Sequence, residues 1–196
     1  MKICNIVIKD RCATKYFIDC NAGHQLAHEV QRINYLFKFN ATVILEFAVS
    51  SQILCSNDVY PDAEAAARDC TIYIFTDKVR DSNLIKLIVH EYVHVCIAKT
   101  FSSPCPLWLN EGLAVYLSGQ GEDIEPICPV NIKTFYISDQ SAPHFYNMAL
   151  FTVRELIKKM SLYQLIETAR NCQSFLDNHL LGLYSIESIA AVRTML

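Results

Sequence analysis

Residues 84–98 constrain this chain more than any other stretch. Leu84, Ile85, Leu87, Ile88, Val89, Tyr92, Val93, Val95, Cys96, Ile97 and Ala98 leave almost no polar face. A helix that is apolar on nearly every side is a buried one. Yet the same stretch carries His90, Glu91 and His94. A buried polar side chain needs a partner, since going without one costs about 1–3 kcal/mol or more. On a helix, residues four apart share one face about 6 Å apart along the axis, so both imidazoles can grip one metal ion. Glu91 stands one step around the helix, within reach of a water on that ion without ligating it. With six His and ten Glu in the chain, chance gives this H-E-x-x-H spacing in roughly one shuffled sequence per hundred. A satisfied pair of core histidines is therefore the weaker reading.

A catalytic zinc site wants three protein ligands and one open position for water. Downstream, Trp108-Leu109-Asn110-Glu111-Gly112 offers a carboxylate. The metal helix is expected to run to about Lys99. Ser102, Ser103 and Pro104 then turn the chain, and Pro106 suits the first turn of a second helix. His94 to Lys99 is five residues, as is Pro106 to Glu111. Two antiparallel legs of about 7.5 Å each bring Glu111 back level with His94. The spacing predicts Glu111 as the third ligand; away from H-E-x-x-H it would read as an ordinary surface carboxylate.

His90-Glu91-x-x-His94 followed by Trp108-Leu109-Asn110-Glu111-Gly112-Leu113-Ala114 resembles the gluzincins, the zinc peptidases whose third ligand is Glu. It is most similar to the small peptidase-MA-like metallohydrolases and to the catalytic core of the membrane alanyl aminopeptidase family. The resemblance covers about residues 84–118. It implies a zincin fold, Zn2+ at His90, His94 and Glu111, and Glu91 as the base that activates water. It also implies an oxyanion donor, Tyr or His, from the following helix. Tyr146 stands at about the right place and His144 is the runner-up, although an aromatic core residue at a helix start is an equally good reading of Tyr146. Aminopeptidases with this core carry a G-x-M-E-N stretch for the substrate amine, and none occurs here. The expectation is therefore an endopeptidase acting on a peptide or protein substrate. The rival reading is a catalytically inactive zincin-like protein-binding module, against which Glu91 argues, since a scaffold has no use for a base.

Length and composition fit this class. The 196 residues suffice for one domain with a real core. At 52% hydrophobic and 19% charged, the chain is globular. A net charge of −3, with no basic run, argues against a nucleic-acid partner. The start lacks a signal-peptide pattern, and no stretch reaches the length of a membrane span. Nine cysteines, odd in number, irregularly spaced and without a C-x-x-C pair, read as reduced thiols in a cytoplasmic setting. Nothing in their spacing favours a Cys–His nucleophilic pair.

The expected fold class is α+β: a small mixed sheet packed on the active-site helix, then a mainly helical C-terminal lobe. One zincin-like domain spans residues 1–196, with an α/β lobe over about 1–100 and the helical lobe over about 101–196. Residues 3–8 read as one strand, 16–18 as a short second one, and 42–49 and Thr71–Phe75 as further strands. Asn21 is expected to cap a helix to about Phe39, with Leu26, Val30, Ile33 and Phe37 as its core stripe. That helix carries a second four-apart pair, His24 and His28, read as a solvated face because no Glu lies between them and no third ligand follows. Residues 63–67 suit one helical turn or a loop. Asp81 or Ser82 would cap the metal helix. Residues 120–141 read as a long loop, and helices are expected over about 145–160, 162–172 and 186–195. In the first of these, Phe145, Met148, Ala149, Val153, Leu156 and Ile157 should face the core.

Overall fold

The computed structural model describes residues 1–19, 21–49, 63–79, 84–102, 104–122 and 143–170. Asp81, Ser82, most of the 120–141 loop and the helix expected over 186–195 lie outside them. The chain divides into two compact units, Met1–Lys99 and Thr100–Leu196. Among the described residues it is a mixed α/β protein with a five-stranded sheet and six helices, compatible with the α+β class.

The first unit begins with β1 (Lys2–Ile3) and β2 (Ile6–Ile8) where one strand is expected. Cys4 takes a left-handed conformation (φ 51°) and folds the segment back, pairing Ile3 with Ile6 and Lys2 with Val7 antiparallel. The terminal ammonium donates to the Ile8 carbonyl at 3.0 Å. The segment read as a short strand at 16–18 lies instead in helix α1 (Arg11–Asp19). The deciding signal is Asp10, whose carboxylate accepts from the Ala13 amide at 2.7 Å and so caps the helix. Ala13 and Phe17, four apart, are its buried face.

Helix α2 (Ala22–Phe37) buries Leu26, Val30, Ile33 and Phe37, as their spacing predicts. Asn21 stands at its cap, but in the left-handed region (φ 56°) and with no side-chain cap bond. Its backbone carbonyl accepts from the His24 and Gln25 amides instead. Asn is among the few L-residues that tolerate this conformation, which here turns α1 into α2.

β3 (Val43–Ala48), β4 (Ala65–Arg68) and β5 (Thr71–Phe75) complete a sheet of order β1-β2-β3-β5-β4. The central three strands are parallel, with Ile6 opposite Val43 and Leu45 opposite Ile72; both edges are antiparallel. α1 and α2 form the crossover that parallel β2 and β3 require. β4 replaces the helical turn or loop expected at 63–67. Its alanines favour helix in isolation, but Asp69 (φ 55°) and Cys70 make a two-residue turn that lays them against β5. Ile6, Ile8, Val43, Leu45, Ile72 and Ile74 alternate onto one buried face. On the other face Lys9 pairs with Glu46. Helix α3 (Leu84–Thr100) ends the unit and is buried from Ile88 to Val93 and from Val95 to Ile97.

The regular elements among the described residues of the second unit are helices: α4 (Leu107–Ser118), α5 (Pro143–Lys159) and α6 (Leu162–Ala169). Pro106 is the cap residue of α4 rather than part of its first turn, and its carbonyl accepts from the Leu109 and Asn110 amides. Gly119, at φ 71°, ends the helix in the left-handed conformation that glycine adopts without strain. Phe145, Met148, Ala149, Val153 and Leu156 of α5 are buried, and Ile157 is half-buried. Ser161 and Gln164 form a reciprocal capping box at the start of α6. The Ser102 hydroxyl donates to the Arg170 carbonyl at 2.6 Å, tying the first residues of the unit to the end of α6.

Candidate metal centre

α3 advances 100° per residue, so His90 and His94 point within about 40° of each other and Glu91 between about 60° and 100° away. Their rings stand 4.7 Å apart, centroid to centroid, with planes at 79°. One donor atom each from His90, Glu91 and His94 lies within 4.8 Å of the other two. His90 and Glu91 are buried and His94 is half-buried. A tetrahedral ion about 2.0–2.1 Å from each nitrogen holds its donors about 3.4 Å apart. With two of its three side chains buried and their donor atoms clustered, this group could hold a metal ion. Among the described residues it is the one group of three or more such side chains with this geometry.

The other pair of four-apart histidines behaves differently. His24 and His28 are exposed on α2. His28 Nδ1 lies 3.3 Å from a Glu29 carboxylate oxygen, and the other Glu29 oxygen accepts twice from Arg32. That carboxylate is committed to a guanidinium, and the face is solvated.

On the far side of α3, about 180° from the mean direction of the two histidines, stands Tyr92. It is fully buried. Its hydroxyl donates to the Asn34 side-chain carbonyl at 2.6 Å and lies 2.8 Å from that of Asn5. Asn34 Nδ2 donates to Asn5 Oδ1 at 3.1 Å, and Asn5 Nδ2 donates to the Ala41 carbonyl at 2.6 Å. Phe39 meets the Tyr92 ring edge-on at 5.9 Å. Burial pushes the Tyr92 phenol well above its usual range, helped by the nearby Cys96 and opposed by the two asparagines. Burial likewise raises the Cys96 thiol, with Cys70 adding to the shift. Both groups stay neutral at physiological pH. Sequence reasoning passed over this network. The available signal was a lone hydroxyl-bearing ring in an aliphatic helix, placed opposite the histidines.

In the second unit Glu111 is half-buried on α4. The next residue, Gly112, is where α4 meets α5 backbone to backbone. A Cβ there would stand 2.7 Å from the Ala149 carbonyl oxygen and 2.7 Å from Val153 Cγ2, so only glycine permits this approach. That contact sets which way α4 turns and hence the direction of Glu111 on its own unit. His144 and Tyr146 occupy the first turn of α5, His144 exposed and Tyr146 half-buried against the Phe145 ring at 6.1 Å. One helical turn beyond Glu111 stands buried Val115, so no acid follows the carboxylate at that step.

Four described cysteines, Cys4, Cys70, Cys96 and Cys105, are free thiols. No helix among the described residues is long and apolar enough to cross a membrane. No protein-family model, no curated protein and no solved structure matches the chain.

Proposed function

We propose that this protein is a zinc-dependent peptidase of the gluzincin type, with a zincin-like fold, acting as an endopeptidase on peptide or protein substrates. The observation that carries the reading is the convergence of His90, Glu91 and His94 donor atoms within 4.8 Å on a buried helix. His90 and His94 are the imidazole ligands and Glu111 is the third. Zinc, when bound, supplies the Lewis acidity that activates water and polarises the scissile carbonyl. Glu91 takes the proton from the attacking water and passes it to the departing amine. Tyr146 donates its hydroxyl to the oxygen that gains negative charge, with His144 as the substitute donor. Burial of His90 and Glu91 strengthens these charge interactions, because a low-dielectric setting screens them less than water does. The absence of a G-x-M-E-N stretch favours internal cleavage over removal of N-terminal residues.

Glu91→Gln is the direct test, since Gln keeps the shape and removes the base. The variant should keep its zinc and lose hydrolysis of a mixed quenched-fluorescent peptide library by about 10²–10⁴-fold, the contribution typical of general acid–base catalysis. Unchanged hydrolysis would overturn the catalytic assignment.

A further inference from the structure

We infer that Arg154, through its bond to the Gly121 carbonyl, is a positioning residue that sets the angle at which α4 crosses α5, and with it the separation of Glu111 from Tyr146; this rests on the roles proposed above for those two side chains. All four residues belong to the second unit, so their relation is internal to it. α4 and the turn that follows it meet α5 at two places. The first is Gly112, close against Ala149 and Val153. The second is Gly121, buried just past the end of α4. A Cβ there would stand 2.3 Å from Leu150 Cδ2 and 3.2 Å from Val115 Cγ1, so the residue is wedged between the two helices. Arg154 Nη2 donates to its carbonyl at 3.0 Å. Ala149 and Val153 form one four-apart row of α5, and Leu150 and Arg154 form the next. The two contacts therefore straddle neighbouring rows of one helix.

One point of contact is a pivot, and a second sets an angle. Turning α4 about Gly112 carries Gly121 across the Leu150–Arg154 row. A hydrogen bond weakens steeply off axis, so the Arg154 bond resists that turn. Tyr146 stands on the face of α5 that α4 covers, within about 60° of Ala149, 40° of Leu150 and 20° of Val153. Glu111 stands about 100° around α4 from Gly112, to the side of the crossing. Its carboxylate, about 6 Å from the helix axis, moves about 1 Å when α4 swings by about 10°. A displacement of that size between groups that serve one reaction can cost about 10²-fold in rate.

The test uses the full chain and two readouts. Trp108, the single tryptophan, stands in the first turn of α4 within about 40° of Gly112, on the side toward α5. Its emission and near-UV circular dichroism report the crossing without metal or substrate. Hydrolysis of a quenched-fluorescent peptide by the zinc-loaded chain gives kcat and KM. Arg154→Met keeps the aliphatic stem and removes the donors. It should shift the Trp108 signals and lower kcat by about 10–100-fold with KM little changed, while far-UV circular dichroism stays as in wild type. Arg154→Lys keeps a cationic donor and should recover part of both. Gly121→Ala leaves Arg154 whole, presses on Leu150 and should move the same signals, so the test survives an Arg154→Met chain that does not fold. Wild-type Trp108 signals and kcat in Arg154→Met and Gly121→Ala would overturn the positioning role and leave the proposed peptidase standing. A Trp108 shift with wild-type kcat would overturn the link to Glu111 and Tyr146, and Arg154→Lys no better than Arg154→Met would overturn the role of the bond. A wild-type chain that cleaves no peptide would overturn the proposed function, and the Trp108 signals alone would then decide the crossing angle.

Discussion

In the first unit the chemistry-bearing side chains come from one turn of one helix. His90, Glu91 and His94 are neighbours because 3.6 residues make a turn, and their donors lie within 4.8 Å as a result. In the second unit Glu111 and Tyr146 come from two different helices, α4 and α5, and each owes its direction to packing: Gly112 against Ala149, Phe145 into the core. The first arrangement is local and hard to perturb without breaking a helix. The second is tertiary, and substitutions that never touch a functional side chain can disturb it.

This contrast predicts unequal responses to mutation. His94→Ala should reduce bound zinc from about one per chain to near zero, because it breaks the four-apart imidazole pair and leaves one imidazole and one carboxylate to hold the ion against competing chelators. Glu111→Ala should cost more than the 10–100-fold typical of an outer partner, measured by competition with a chromophoric chelator. An affinity unchanged by Glu111→Ala would confine the metal donors to α3. Replacing both His24 and His28 with Ala should leave zinc content as it is, which separates the two helical histidine pairs.

Packing changes rank next. Gly112→Val places new atoms against the Ala149 carbonyl and Val153, and should destabilise the second unit by about 1–3 kcal/mol while lowering hydrolysis through Glu111. Urea unfolding followed by the single Trp108 fluorescence reports it. Gly112→Val with wild-type stability would contradict the close approach of α4 and α5.

Alkaline pH probes the first unit through Tyr92. Tyr92 holds its proton in the native state more tightly than in the unfolded chain. Below about pH 10 both states are protonated and its contribution to stability is complete. As pH rises further the unfolded chain releases this proton first, so stability falls by about 1.4 kcal/mol per pH unit. Tyr92→Phe should abolish that component, leaving the earlier fall from Cys96, which both proteins share. Identical alkaline unfolding curves would show that Tyr92 ionises freely. The smallest effect is expected at Ser161→Ala, which removes the capping box of α6 at a cost of about 1 kcal/mol and should not alter zinc affinity.

What could be read from the residues follows the same line between local and tertiary. The α2 stripe, β3, β5 and both helices bearing His90 to Glu111 are periodic or strongly β-branched, and the structure places them within a residue or two of expectation. Three errors share one cause, a short-range signal overridden by a longer-range or subtler one. β1 and β2 read as one strand because Cys4 gives no turn signal, yet the Asn5 side chain is drawn to Ala41 and the chain reverses. Residues 16–18 are β-rich on their own, and the Asp10 cap that starts the helix lies six residues earlier. Ala65–Arg68 read as helix or loop because alanine carries no strand preference, and only pairing with β5 makes it one. The grouping of His90, Glu91 and His94 was legible because a helix alone creates it. The Tyr92 network was not, because it needs Asn5 and Asn34, 87 and 58 residues away.

Zinc bound per chain, by native mass spectrometry of wild type beside the His90→Ala and Glu111→Ala variants, tests the central claim most directly. The account predicts one ion on wild type, none on His90→Ala, and an ion on Glu111→Ala that a weak chelator strips away. A wild-type chain that emerges from zinc-containing buffer with no bound ion would contradict it.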